Sequence, residues 1–225
     1  MDNFDKDNSE NKINPVYFDE TDRAIIESYK YVVKGIANAF GRSCEALVHS
    51  LDNFENAVKF IENGHNSSRN PGAPITNLAL EIIAGVHEDK KFLEPYESKF
   101  PNGDRCKSIT IPIKNKDKLI GLLCININME VTLIDFVKEF DIKDNKKKFH
   151  ENYSSNIDDM ISSILNKNIN EIMLDMSIPN QDKNKSIIIK LYEIGFFNIK
   201  GSVEALAERL QISVHTVYSN IRKYT

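Results

Sequence analysis

Two histidines stand out, because imidazole is the side chain whose charge changes most readily near neutral pH. His49 closes the run Cys44-Glu45-Ala46-Leu47-Val48-His49, and His65 follows Asn63-Gly64 in a polar loop. A neutral imidazole can ligate haem iron or another metal, or hydrogen-bond a small polar ligand. Ser67, Ser68 and Arg69 come directly after His65, and the guanidinium could hold a carboxylate or propionate through charge-assisted hydrogen bonds. Asn63 and Thr76, on either side of this loop, complete the candidate ligand set. Each residue also has an ordinary role open to it. His49 could be a strand-end histidine satisfied by backbone, Arg69 a solvated loop residue, Asn63 a turn former and Thr76 a helix cap.

A second group of polar side chains lies at the far end of the chain. In residues 201–224, GSVEALAERLQISVHTVYSNIRKY, the apolar set Val203, Leu206, Ala207, Leu210 has helical spacing. After Gln211-Ile212-Ser213 the period restarts at Val214, Val217, Tyr218 and Ile221. Two short helices joined by so brief a break form a helix-turn-helix. Ala207 permits a close crossing, Ile212 plugs the turn and Ser213 caps the second helix. Tyr218 is assigned to the core. The open face of that helix carries His215, Thr216, Ser219, Asn220, Arg222 and Lys223, none of them acidic. Ser213, Thr216 and Ser219 would meet phosphates or bases, His215 and Asn220 base edges, and Arg222, Lys223 and Lys200 the DNA backbone. One such module reads few base pairs, so a homodimer on a pseudo-palindromic operator is predicted, with the stripes at 25–40 and 157–169 as dimer helices. The competing reading from another class is a protein-interaction module whose terminal hairpin never meets DNA.

Charge supports the division of labour. The chain carries −4 overall, yet residues 180–225 hold seven Lys/Arg and four Asp/Glu, a net of +3. A weakly basic terminal module on an acidic body suits a nucleic-acid reader joined to a domain of other purpose. Cys44, Cys106 and Cys124 are scattered without CxxC or Cys/His spacing, which argues against structural zinc. No Walker, G-x-S-x-G or G-x-G-x-x-G sequence occurs, so no enzyme is predicted. With no signal peptide and no apolar run near 20 residues, the expected location is cytoplasmic, away from membranes.

The elements that must hold these groups can be read in order. Residues 1–18 are polar and charged and are expected to form a disordered tail. Residues 19–140 read as helix, two strands ending at Asn63-Gly64, a proline-broken loop, a short helix capped by Thr76 or Asn77, then a hairpin at 107–127. Residues 90–105 read as a surface excursion. Pro112 marks an edge or bulge. Residues 119–127, nearly all apolar, form the central strand, with Gly121 admitting a close neighbour. A helix over 129–140 leaves the sheet. Residues 141–180 are assigned to a linker and connecting helix, and 181–225 to the helix-turn-helix. The fold class is therefore α+β, an antiparallel sheet with flanking helices followed by an all-α domain.

Several pieces together resemble the YheO-like family, which joins an N-terminal PAS-type domain to a C-terminal helix-turn-helix. The carrying segments are FGRSCEALVHSL (40–51), NGHNSSR (63–69), GAPITNLAL (72–80), GLLCIN (121–126), GFFNIKGSV (195–203) and SVHTVY (213–218). The resemblance implies a transcriptional regulator, repressor or activator, controlled by a small-molecule effector read in the PAS-like domain. It implies an amino-acid-like or a haem-like effector, since the family includes regulators tied to amino-acid catabolism and others tied to haem or iron uptake. In the haem alternative, His65 or His49 would ligate the iron. Three departures stand out. Ser50 replaces the usual Asp after the first histidine, Gln211 replaces a turn glycine, and Ser213-Val214-His215-Thr216 replaces Ser-Arg-Tyr-Thr, removing an arginine that would contact DNA.

Overall fold

A computed structural model describes residues 14–85, 94–141, 151 and 153–224. The chain divides into two compact units, Met1–Asn145 and Lys146–Thr225.

The first unit is built on α1 (Glu20–Phe40), whose start and stop are both written locally. Asp19 and Asp22 exchange side-chain-to-backbone hydrogen bonds as a capping box, and Gly41, at φ +81°, ends the helix. Then follow β1 (Cys44–Ser50), β2 (Val58–Glu62), α2 (Asn77–Ile83), β3 (Tyr96–Lys99), β4 (Arg105–Asn115), β5 (Lys118–Asn128) and α3 (Leu133–Glu139). The five strands form one antiparallel sheet in the order β2-β1-β5-β4-β3. The apolar β5 is central, as its composition predicts. Pro112 lies beyond the end of β3, where β4 has no neighbour on that side among the described residues, so its missing N–H costs nothing. At Gly121 an added Cβ would come within 2.8 Å of the His49 carbonyl oxygen and 2.7 Å of the Ile26 side chain, which explains the glycine in the central strand.

Strand alternation gives the sheet two different faces. Ala46, Val48, Ile113, Ile120 and Leu123 pack against Phe18, Ile26 and Val33 in an apolar core under α1. On the opposite face the register lines up polar residues across four strands: Glu45 beside Asn126, Asn126 beside Ser108, Ser108 beside Tyr96. One row along stand Leu47, Cys124 and Thr110.

Three expectations are corrected. Residues 90–105 are not all surface excursion, since Tyr96–Lys99 forms β3. Four residues with Glu and Lys on the outward side carry too little apolar signal to announce a strand. The tail is not loose to residue 18: Val16 N–H donates to the Leu51 carbonyl (2.7 Å) and Phe18 is buried in the α1 core. Residues 1–13 lie outside the described residues. The connecting helix, α4 (Ile157–Leu174), is no linker. Its Ile161, Leu165 and Ile172 share one core with Ile187, Leu191, Phe196, Leu206 and Val217 of the second unit. Of the charged segment at 141–156, residues 142–150 and 152 lie outside the described residues. Finally α3 is a helix that buries none of its residues. It is tied to the sheet at one end, where Glu139 accepts from Ser43 N–H (3.0 Å) and Ser43 Oγ (2.7 Å).

The second unit continues with α5 (Lys183–Glu193), α6 (Ser202–Leu210) and α7 (Val214–Tyr224). Gln211 closes α6 in the left-handed conformation (φ 54°, ψ 42°), a backbone region that glycine adopts most readily. Ser213 Oγ accepts from Thr216 N–H (3.1 Å) and so caps α7.

Candidate functional site

The polar face of the sheet, α2 and the 63–76 loop enclose a cavity of about 320 Å³. Of the residues singled out from sequence, His49, Ser67, Arg69 and Thr76 line it. Asn63, His65 and Ser68 do not. Asn63 is structural: at φ 57° it turns the chain, and its side-chain amide donates to the carbonyls of Gly41 (2.9 Å) and Cys44 (2.7 Å). His65 and Ser68 are exposed and border a separate shallow cleft. The two histidines are therefore not brought to one site. Thr76 lines the wall while capping α2, its hydroxyl accepting from Ala79 N–H (3.3 Å).

His49 has a defined role. It is buried, and its Nε2 lies 3.2 Å from an Arg69 guanidinium nitrogen. A guanidinium can only donate, so Nε2 accepts and the proton sits on Nδ1, which faces the Cys124 sulfur at 3.8 Å. Burial, and then the Arg69 charge, push the imidazole pKa down to about 4, so it is neutral at physiological pH. Arg69 also donates to the Pro74 carbonyl, and burial lowers its own pKa from the ordinary value.

Sequence reasoning missed the residues opposite. Glu45 is fully buried. Its two carboxylate oxygens accept from Asn126 Nδ2 (3.0 Å) and Ser67 N–H (3.1 Å). Asn126 Oδ1 accepts in turn from Ser108 Oγ (2.8 Å), and Ser108 Oγ lies 2.7 Å from Ser98 Oγ. Tyr96 OH and Thr110 Oγ1 are 2.8 Å apart, and burial raises the tyrosine pKa. Cys124 is pushed up to about 11 by burial, which makes it an inert wall thiol. The signal that could have found Glu45 and Asn126 is a polar side chain inside an otherwise apolar strand. Ser67 Oγ, also buried, has no hydrogen-bond partner among the described residues. Among the described residues no cluster of three or more His, Cys, Asp or Glu is placed to hold a metal ion.

In the second unit, Leu206, Ala207 and Val217 are buried as the seam between α6 and α7. His215, Tyr218, Ser219, Arg222 and Lys223 line one cleft along α7, a face without acid. Tyr218 is 44% exposed and belongs to this face, not to the core as its period suggested. Ser213, Thr216 and Lys200 are also exposed. Thr216 and Asn220 have local roles: Thr216 Oγ1 lies 2.8 Å from Ser213 Oγ, and Asn220 Nδ2 donates to the Thr216 carbonyl (2.9 Å). No helix among the described residues is long and apolar enough to cross a membrane.

Comparison with known proteins agrees with this two-unit architecture. Residues 19–141 match the YheO-like PAS domain and residues 164–222 match an HTH domain, so the second match begins inside α4. An uncharacterized protein of Haemophilus influenzae is 39% identical over 208 residues, which is 92% of this chain and 94% of that protein. YheO of Escherichia coli K12 is 36% identical over 210 residues, 92% of this chain and 88% of its own length. The transcriptional regulator DauR of Pseudomonas aeruginosa is 22% identical over 204 residues, 88% of this chain and 93% of its own.

Proposed function

The chain belongs to the YheO-like PAS-domain family, and we propose that it is a DNA-binding transcriptional regulator whose α7 reads DNA under the control of a small effector held in the sheet cavity. The observation that carries the reading is the pairing, in one chain, of an acid-free recognition helix with a cavity lined by buried polar groups. The same acid-free face favours DNA over a protein-interaction role for the hairpin. His215, Ser219, Arg222 and Lys223 share the reading face, and Ser213, Thr216, Asn220 and Lys200 flank it.

A small polar metabolite fits better than haem. His49 Nε2 already accepts from Arg69, so iron ligation would break that bond, and His65 stands outside the cavity. Within the first unit, contacts lead from the cavity loop to α3. Ser67 and Arg69 belong to a loop pinned to the start of β1 by Asn63 and by Asn66, whose amide donates to the Arg42 carbonyl (2.9 Å). The neighbouring Ser43 holds Glu139 of α3, the last described element of the sensor in chain order. An effector that favours one arrangement of this loop over another would bias α3 through this linkage.

Two copies would act together. The side of α1 turned away from the sheet exposes Ala24, Ser28, Tyr31, Val32, Gly35 and Ala39. Gly35 has nothing within 4 Å of where a Cβ would stand. A mid-helix glycine costs roughly 0.5–1 kcal/mol relative to alanine, and close approach of a second α1 supplies a reason for it. The two apolar stripes predicted to pair, at 25–40 and 157–169, are both taken up in the cores of their own units, so it is this opposite side of α1 that is proposed to pair.

The test is selection of bound fragments from sheared host DNA, followed by titration of the recovered site. The Arg222→Ala, Lys223→Ala double variant should bind more weakly, with its salt slope reduced by about 2 if both residues meet phosphates. Unchanged affinity and slope would remove α7 from the DNA face.

A further inference from the structure

We propose that the apolar edge of α7, Val214 and Tyr218, reads the 5-methyl group of thymine, so that the bound DNA carries a thymine against each of these side chains. The proposal rests on α7 being the DNA-reading helix and adds which base its apolar edge selects.

α7 meets its own domain through one side. Val217 is fully buried, and Ile221 packs against the same core. The Tyr224 ring stands edge-on to Tyr192 at 6.2 Å, and its hydroxyl donates to Glu193 (2.7 Å). These three positions recur at i, i+4 and i+7, which is one helix face. Val214 and Tyr218 are also four residues apart, but on a neighbouring line, and they are 37% and 44% exposed. Tyr218 shares its cleft with His215, Ser219, Arg222 and Lys223. Val214, the first residue of α7, stands one turn before it.

Folding alone gives little reason for this edge. Side chains left so open gain only part of the free energy of burial. Valine and tyrosine are also poorer helix formers than alanine, glutamine or lysine, any of which the exposed positions would accept. A DNA-reading role supplies the reason. On the major-groove edges of the four bases, the C5-methyl of thymine is the apolar group, and the other groups are hydrogen-bond donors and acceptors. An apolar side chain is stabilised by covering that methyl. Against the other edges it would cover polar atoms and leave them unpaired.

The surroundings fit such a division of roles. Arg222 and Lys223, in the last turn of α7, carry the charge that holds a helix to phosphates whatever the sequence. Val214 and Tyr218 lie toward the other end, and recognition helices set their N-terminal residues against base edges. Four residues span about 6 Å of helix, and base pairs are about 3.4 Å apart. The two methyl groups should therefore lie about two base pairs apart.

The experiment titrates the full chain against its selected site with each thymine in turn replaced by deoxyuridine, which removes the methyl and keeps the pairing. At two positions about two base pairs apart, the replacement should weaken wild-type binding about four-fold, as loss of one buried methyl implies. Val214→Ser should remove the preference at one position and Tyr218→Ser at the other. The salt slope should stay unchanged in both, since neither side chain is charged. Tyr218→Phe, which keeps the ring, should keep the preference. The Arg222→Ala, Lys223→Ala double variant should bind more weakly and retain both preferences. The base replacement itself needs no variant, so the test stands if a serine variant fails to fold. Equal binding of thymine and deoxyuridine at every position, with the salt slope still lowered in the double variant, overturns the proposal and leaves α7 as the DNA face. Unchanged affinity and slope in the double variant removes α7 from the DNA face and this proposal with it. A thymine preference that both serine variants retain places the methyl against another side chain and also overturns it.

Discussion

One sheet, carried by the same strands, turns a different kind of surface to each side. Against α1 it presents Ala46, Val48, Ile113, Ile120 and Leu123, closed by Phe18, Ile26 and Val33. Away from α1 it presents Glu45, His49, Ser108, Thr110 and Asn126, all of them buried or nearly so. Both faces exclude water and both bury apolar side chains, the second Leu47, Leu122, Ala79 and Ile82, but the second buries a polar row as well. The second holds polar groups whose burial costs free energy unless they are fully paired, and Ser67 Oγ has no partner among the described residues. The α1 face is closed by apolar packing alone along the strands, and the opposite face combines an apolar cluster with a buried polar row.

Substitutions should separate the two faces. Leu123→Ala, on the α1 side, removes methyl groups from a closed core and should cost about 2–5 kcal/mol of sensor stability, read as a fall in urea midpoint. Effector affinity of the fraction that remains folded should not change. Next comes a pH effect confined to the cavity face. His49 ordinarily titrates near 6.5 but near 4 in the fold. The unfolded chain therefore takes up the proton first. The stability is complete above pH 6.5, declines as pH falls toward 4 and is lost in full below that, a total of about 3 kcal/mol. Denaturation midpoints from pH 7.5 to 4 should show this slope, and His49→Gln should flatten it. The smallest effect is expected from Glu45→Gln. The amide keeps the size and one acceptor oxygen of the side chain, and should change ligand-free stability by about 1 kcal/mol. A loss as large as that of Leu123→Ala would mean that both faces are structural core.

Much of the scaffold is legible because its signals are local. The capping box at Asp19, Gly41, the apolar run of β5 and the two helical periods of residues 201–224 each depend on neighbours within a few positions. What fails needs non-local information. Amphipathic α4 shows that it has a packing partner but not that the partner is the α5–α7 core. The candidate site divides in the same way. His49, Ser67, Arg69 and Thr76 stand out by residue type and lie on the cavity. His65, Ser68 and Asn63 share that loop but turn elsewhere, because the positive φ values at Asn63 and Ser68 redirect the chain. Glu45, Asn126, Ser108 and Tyr96 come together through the register of four strands, and no single segment records it.

The central claim is that occupancy of the polar face governs DNA binding by α7. Its most direct test is the DNA affinity of the full chain on its selected site, with and without the low-molecular-mass fraction of a host-cell extract. Wild type and Ala79→Phe, in which the added ring fills the cavity, are compared. The account predicts that the extract shifts wild-type affinity and leaves Ala79→Phe unmoved, with both chains binding DNA in its absence. An equal shift in the two chains would contradict it.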